Sequence, residues 1–208
     1  MLDGRGLLGF STWGVEGKDI PMCGRFTFQP TEAFYARFQL RNCLDSLMTQ
    51  YNIAPGQMVP AIIANSPRRI VLMRWGLIPH WAKDAKTAYK MINARIETLT
   101  QRPVFRGLLS HNRALVPACG YYEWQGEGRD KTPYYIHPQE DQYIAFAGLY
   151  DTWTTPDGED LYTFTIITTD ADPFMAQPHA GYFGQRAGGR LARSTPHEGA
   201  RRPGFTLA

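Results

Sequence analysis

The stretch Arg113-Ala114-Leu115-Val116-Pro117-Ala118-Cys119-Gly120-Tyr121-Tyr122-Glu123-Trp124 decides how this chain is read. Residues 114–116 and 120–124 are rich in the branched and aromatic side chains that suit a pleated surface, and they read as one continuing strand. Downstream, residues 133–137, 143–150 and 161–168 repeat the texture at short spacing. Upstream, residues 59–64 and 69–77 flank Asn65-Ser66-Pro67-Arg68, the pattern of a hairpin. Helical signals are fewer. Pro30-Thr31-Glu32 opens an amphipathic stretch with Phe34, Phe38 and Leu40. Residues 95–112 look mainly helical, with a break at Pro103, and residues 52–56 read as a loop. Strands outnumber helices, so the expected class is α+β with a largely antiparallel sheet or barrel and flanking helices.

Composition narrows the field. The 208 residues hold 22 Lys and Arg against 19 Asp and Glu, a net charge of +3. Residues 178–208 alone carry +4, from Arg186, Arg190, Arg193, Arg201 and Arg202 against Glu198, so the preceding 177 residues stand at −1. A near-neutral body excludes nucleic-acid binding by bulk charge, and any such contact must come from placed residues. A hydrophobic share of 43% fits a folded domain. No apolar run approaches the ~18 residues of a membrane span, which argues against a membrane partner. Three widely spaced cysteines without a CxxC pair predict neither a disulfide framework nor a structural zinc site, and the expected location is the cytoplasm. Residues 1–21 are Gly-rich and aperiodic and read as a disordered leader or an upstream start, with Met22 as the alternative translation start.

Four segments carry residues suited to chemistry. In Met22-Cys23-Gly24-Arg25-Phe26, removal of methionine would leave Cys23 as the first residue. An N-terminal cysteine sets an α-amine of pKa about 7.7–8.0 beside a thiol near 8.5, a pair able to attack an amide or condense with an aldehyde. The alternative is an inert buried thiol. In Met91-Ile92-Asn93-Ala94-Arg95-Ile96-Glu97, Asn93 is either a helix N-cap or an amide that orients a substrate oxygen, and Arg95 can grip a phosphate through its fork. Glu123 lies in an aromatic strand, where desolvation would raise its pKa and suit it to proton transfer; strand alternation equally permits a solvent-facing carboxylate. Residues 74–83 interleave tryptophans and cations, either a stacking surface for single-stranded nucleic acid or core tryptophans of a hairpin.

Taken in order, Cys23-Gly24-Arg25-Phe26, Asn52-Ile53-Ala54-Pro55, Trp75-Gly76-Leu77-Ile78-Pro79 with Trp81-Ala82, Asn93-Ala94-Arg95-Ile96-Glu97, Gly120-Tyr121-Tyr122-Glu123-Trp124 and Thr168-Thr169 resemble the SOS response-associated peptidase family of abasic-site processing proteins. The resemblance covers residues 22–177. It implies an α+β fold around a twisted antiparallel β-barrel-like core, with a groove for single-stranded DNA. It further implies a monomer in which Cys23 forms a covalent thiazolidine with the ring-opened aldehyde of an abasic site, without metal or organic cofactor. Asn93 would position the amine or sugar and Glu123 would shuttle protons. DNA contacts would fall to Arg25, Asn52, Pro55, Trp75, Trp81, Arg95 and Thr168, the two arginines taking phosphates. The peptidase label reflects removal of residues ahead of the cysteine.

The chain departs from the pattern at both ends. The leader would block the Cys23 amine unless it is absent or released autocatalytically. Where the family carries a catalytic His in His-x-Arg-Met-Pro-Val-Ile-Leu, this chain has Pro178-His179-Ala180-Gly181-Tyr182-Phe183-Gly184. Back-translated and shifted by one base, residues 176–184 are compatible with the family's His-to-Leu run. Residues 178–208 are therefore expected to be a frame-shifted, disordered tail, with His179 either standing in for the catalytic His or unrelated to it. Two other functions fit the same residues: a cysteine peptidase acting on protein, and an inactive DNA-binding remnant.

Overall fold

The computed structural model describes residues 24–63, 67–125, 132–139, 141–169, 182–183 and 191–194. In chain order the elements are β1 (Arg25–Phe28), α1 (Glu32–Phe38), β2 (Gln50–Ile53), β3 (Met58–Ile63) and β4 (Arg69–Trp75). A 3-10 helix (Ala85–Lys90) leads to β5 (Asn93–Arg95), and a second (Ile96–Thr98) leads to α2 (Pro103–Arg106) and α3 (Leu108–His111). Then come β6 (Arg113–Ala118), β7 (Gly120–Gln125), β8 (Thr132–Pro138), β9 (Ile144–Thr154), β10 (Asp160–Thr169), β11 (Tyr182–Phe183) and β12 (Leu191–Ser194).

Five strands close on themselves. β10 pairs with β4, β4 with β3, β3 with β6, β6 with β9, and β9 returns to β10. Four of these pairings are antiparallel, and only β10–β4 is parallel. Closure removes the open edges that a sheet of this size would otherwise expose. The expected α+β fold with a barrel-like core is the one observed. A second sheet runs β12-β8-β7-β1-β2 and packs its inner face onto the barrel. The contact is aromatic: Phe26 lies 5.2 Å from Trp75 and 5.7 Å from Phe146, and Tyr121 lies 5.8 Å from Phe146, between ring centroids. Helix α1 adds Phe34 and Phe38, one turn apart on its buried face.

Residues 113–124 do not form one strand as expected. The run breaks at Cys119, so that β6 belongs to the barrel and β7 to the second sheet. The Cys119 N–H donates to the Thr27 carbonyl at 2.8 Å, which moves the chain from one sheet to the other. Gly120 follows because space forbids anything larger: a Cβ there would lie 2.6 Å from the Ile136 carbonyl oxygen and from the Tyr135 ring.

Two further corrections are local. Asn52 and Ile53, read as loop, end strand β2, with Ile53 opposite Phe26. Asn93 is not an N-cap: Asn93–Arg95 form the three-residue strand β5, parallel to β10, and Arg95 at its end is also the N-cap of the 3-10 helix Ile96–Thr98, which opens the expected helical stretch. Two short strands fall inside the tail read as disordered. β11 pairs with Thr168–Thr169 of β10, and β12 with β8. Free strand edges accept any extended backbone whatever its hydrophobic period, so the absence of a period in this segment did not preclude pairing. The leader, Cys23 and His179 lie outside the described residues.

Candidate active site

One group of the expected residues sits on the second sheet. Arg25 of β1 stands opposite Tyr122 of β7, with Phe26 opposite Tyr121 and Thr27 opposite Gly120. The pairing is antiparallel, and Glu123 follows Tyr122 in β7 as Gly24 precedes Arg25 in the chain. Alternation along β7 turns Tyr121 and Glu123 inward, at 1% and 8% exposure, and leaves Tyr122 and Trp124 half-buried on the other face. Glu123 is therefore a buried carboxylate, and the solvent-facing alternative is excluded. Arg25 Nη1 donates to Asn52 Oδ1 at 3.0 Å, which holds the guanidinium against β2. Pro55 lies half-buried just beyond, where the Gly56 N–H donates to the Trp75 carbonyl at 2.7 Å and Gly56 takes a φ of +90°.

The second group sits on the barrel. β5 lies alongside β10 with Asn93 opposite Ile166 and Arg95 opposite Thr168. Asn93 and Thr168 are buried, and Arg95 is half-exposed. Arg95 Nε donates to Glu97 Oε2 at 3.2 Å, and the Thr169 hydroxyl donates to Glu97 Oε1 at 3.3 Å. Burial works to raise the Glu97 carboxyl. Its own backbone N–H, the Arg95 guanidinium and the Thr169 hydroxyl outweigh that, and hold it below the ordinary carboxylate value.

Trp75 joins the two groups from inside. Fully buried, it stacks on Phe164 at 6.4 Å and packs against Phe26. Its indole N–H donates to the Ile92 carbonyl at 2.9 Å, and that carbonyl also accepts from the Ile166 N–H at 3.0 Å. The residue before Asn93 is thus pinned by Trp75. The expectation that Trp75 lines a DNA surface meets a side chain with no surface to offer a base; what it does is fix β5. Trp81, by contrast, is 65% exposed.

One acid escaped the sequence reading. Asp151 is a lone carboxylate in the apolar run of β9, and that anomaly was its available signal. It is buried and accepts from the His80 N–H at 2.8 Å, next to Trp81. Among the described residues no group of three or more His, Cys, Asp or Glu is arranged to hold a metal ion, and no helix is long and apolar enough to cross a membrane.

Comparison with known proteins agrees with the motif pattern. The family model described as SOS response associated peptidase (SRAP) matches residues 22–182. The abasic site processing protein YoqW of Bacillus subtilis is 44% identical over 163 residues, covering 76% of this chain and 73% of that protein. The abasic site processing protein HMCES of Xenopus tropicalis is 32% identical over 166 residues, covering 65% of this chain and half of that protein. A crystal structure of a Bacteroides thetaiotaomicron protein superposes with a TM-score of 0.66 at 28% identity, covering 88% of this chain and 83% of that one. With six motifs in order, a closed barrel carrying a second sheet and a family match over most of its length, the chain belongs to the SOS response associated peptidase family.

Proposed function

We propose that this protein processes abasic sites in single-stranded DNA by forming a covalent thiazolidine through Cys23. The observation that supports the reading is the β1–β7 register, which sets Arg25, two residues after Cys23 in sequence, opposite Tyr122, the neighbour of the buried Glu123. The names of the similar Bacillus and Xenopus proteins support abasic sites as the target.

The reaction needs a free α-amine on Cys23. That amine attacks the aldehyde carbon of the ring-opened sugar, and the carbinolamine loses water to give an imine. The thiol sulfur then adds to the imine carbon and its proton passes to nitrogen, closing a five-membered ring with net loss of one water. Glu123, kept from bulk solvent, passes the proton from the attacking amine to the departing hydroxyl. Asn93 orients the sugar oxygen or the amine, and His179 assists ring opening. Arg25, braced by Asn52, and Arg95, braced by Glu97, are oriented for phosphate oxygens. Pro55 borders the DNA strand and Trp81 offers an exposed indole to a base, while Thr168, buried opposite Arg95, supports β5 rather than meeting DNA. Cleavage of a peptide ahead of Cys23 would use the same nucleophile.

The test is incubation of protein beginning at Cys23 with single-stranded DNA containing one abasic site, followed by denaturing electrophoresis. A shifted species that survives denaturation and disappears in Cys23→Ala is expected. Peptide turnover without such a species would instead mark a protease acting on protein. Salt-sensitive binding without it would mark a non-catalytic DNA binder.

A further inference from the structure

We propose that Asp151 is a positioning residue that holds Trp81 ready for DNA. Trp81 rides a turn in which the Ala82 N–H donates to the Pro79 carbonyl at 2.8 Å. Three buried side chains of β9 and β10 fasten this turn to the barrel. Thr163 accepts from the Ile78 N–H at 2.9 Å, and its hydroxyl lies 3.2 Å from the Ile78 carbonyl. Trp153 donates its indole N–H to the Ala82 carbonyl at 2.8 Å. Between them, Asp151 Oδ2 accepts the His80 backbone N–H at 2.8 Å and lies 3.0 Å from His80 Nδ1, while Oδ1 accepts the Thr152 N–H at 2.9 Å.

The exposure pattern is what gives this clamp a purpose. Ile78, Asp151, Trp153 and Thr163 are all buried, yet the turn they secure presents an indole that is 65% exposed. Core stability gains little from so exposed a ring, and fastening the backbone on both sides of it removes conformational freedom before any ligand arrives. A stacking platform ordered in advance loses less entropy on binding than one that must be ordered by the base. Asp151 acts on the residue next to Trp81, through a backbone N–H, and so sets where the indole stands without touching DNA.

This inference rests on the single-stranded DNA reading, and a double-mutant cycle separates the two. The affinity of an unmodified fluorescent single-stranded oligonucleotide is measured by anisotropy for the wild type, Trp81→Ala, Asp151→Ala and the double variant, with Asp151→Asn as the conservative replacement. Trp81→Ala is expected to weaken binding roughly 5- to 100-fold, the range for loss of one stacked base. Asp151→Ala should weaken it about 3- to 10-fold in the presence of Trp81 and less than about twofold in its absence, the non-additivity expected of a residue acting through its neighbour. Asp151→Asn keeps an acceptor oxygen for the His80 N–H and should recover most of the loss, which also covers the case in which Asp151→Ala fails to fold. Equal losses with and without Trp81, no loss in Asp151→Ala, or no recovery in Asp151→Asn would overturn the positioning role while leaving DNA binding intact. A wild-type protein that does not bind the oligonucleotide at all overturns the DNA reading and this inference together.

Discussion

Trp75 and Trp81 stand six residues apart in one motif, and the fold treats them in opposite ways. Trp75 ends strand β4 facing inward, is fully buried, and spends its indole N–H on the Ile92 carbonyl. Trp81 lies past the point where the sheet stops, on a turn whose backbone is tied down while its ring stays in water. The first shapes the site by holding β5, and hence Asn93, from behind. The second is free to meet a ligand directly. Aromatic content in a motif therefore says nothing about which face a ring takes; that depends on where the strand ends.

The comparison breaks most visibly by truncating each ring. Trp75→Ala should cost about 3–5 kcal/mol of folding stability, read as a lowered denaturation midpoint, because it empties the junction between Phe26 and Phe164 and leaves the Ile92 carbonyl with only the Ile166 N–H. Trp81→Ala should shift stability by no more than about 0.5 kcal/mol, with its effect confined to DNA binding. A large stability loss in Trp81→Ala would erase the distinction. Gly76 separates the two regimes, with a φ of +121° and a would-be Cβ 2.9 Å from the Ala88 carbonyl oxygen. Gly76→Ala is expected to lower stability by about 1–3 kcal/mol in a thermal melt, since strain and close contact add.

The smallest effect belongs to the solvent side. Because the folded state holds the Glu97 carboxyl below its ordinary value of 4.5, its contribution to stability is fully present above that value. It is lost as pH falls through the lower, folded-state value. Glu97 is 40% exposed in its side chain, so solvent screens the pair with Arg95. Glu97→Gln should cost only about 0.2–0.5 kcal/mol at pH 7 and converge with the wild type once the pH has fallen through the lowered folded-state value, measured by denaturation across an acid pH series.

What could be read in the sequence was local. The hairpin of β3 and β4, helix α1 with Phe34 and Phe38, and the strand character of β8, β9 and β10 follow from periodicity and turn residues that neighbours in sequence supply. What escaped it depends on partners far along the chain. β5 is three residues long and exists because Ile166, Ile167 and Thr168 lie beside it in parallel, over seventy residues later in sequence. The sheet switch at Cys119 depends on Thr27, and the inward turn of Glu123 depends on which face of β7 meets Phe146 through Tyr121. Motif order singled out Asn52, Asn93, Arg95 and Glu123 as candidates, but the contacts of Asn52 with Arg25 and of Asp151 with the His80 N–H are set by tertiary geometry. Asp151 was visible only as an acid out of place in an apolar strand.

The central claim, that Cys23 closes a thiazolidine on an abasic site, is tested most directly by the intact mass of the adduct formed without any reducing agent. The account predicts a species equal to protein plus DNA less one water, formed by protein that begins at Cys23 and stable to denaturation, whereas Cys23→Ser gives only an imine that dissociates unless borohydride is added. An adduct of protein and DNA that forms equally well when the α-amine is blocked, or one that persists only after borohydride reduction, would contradict it.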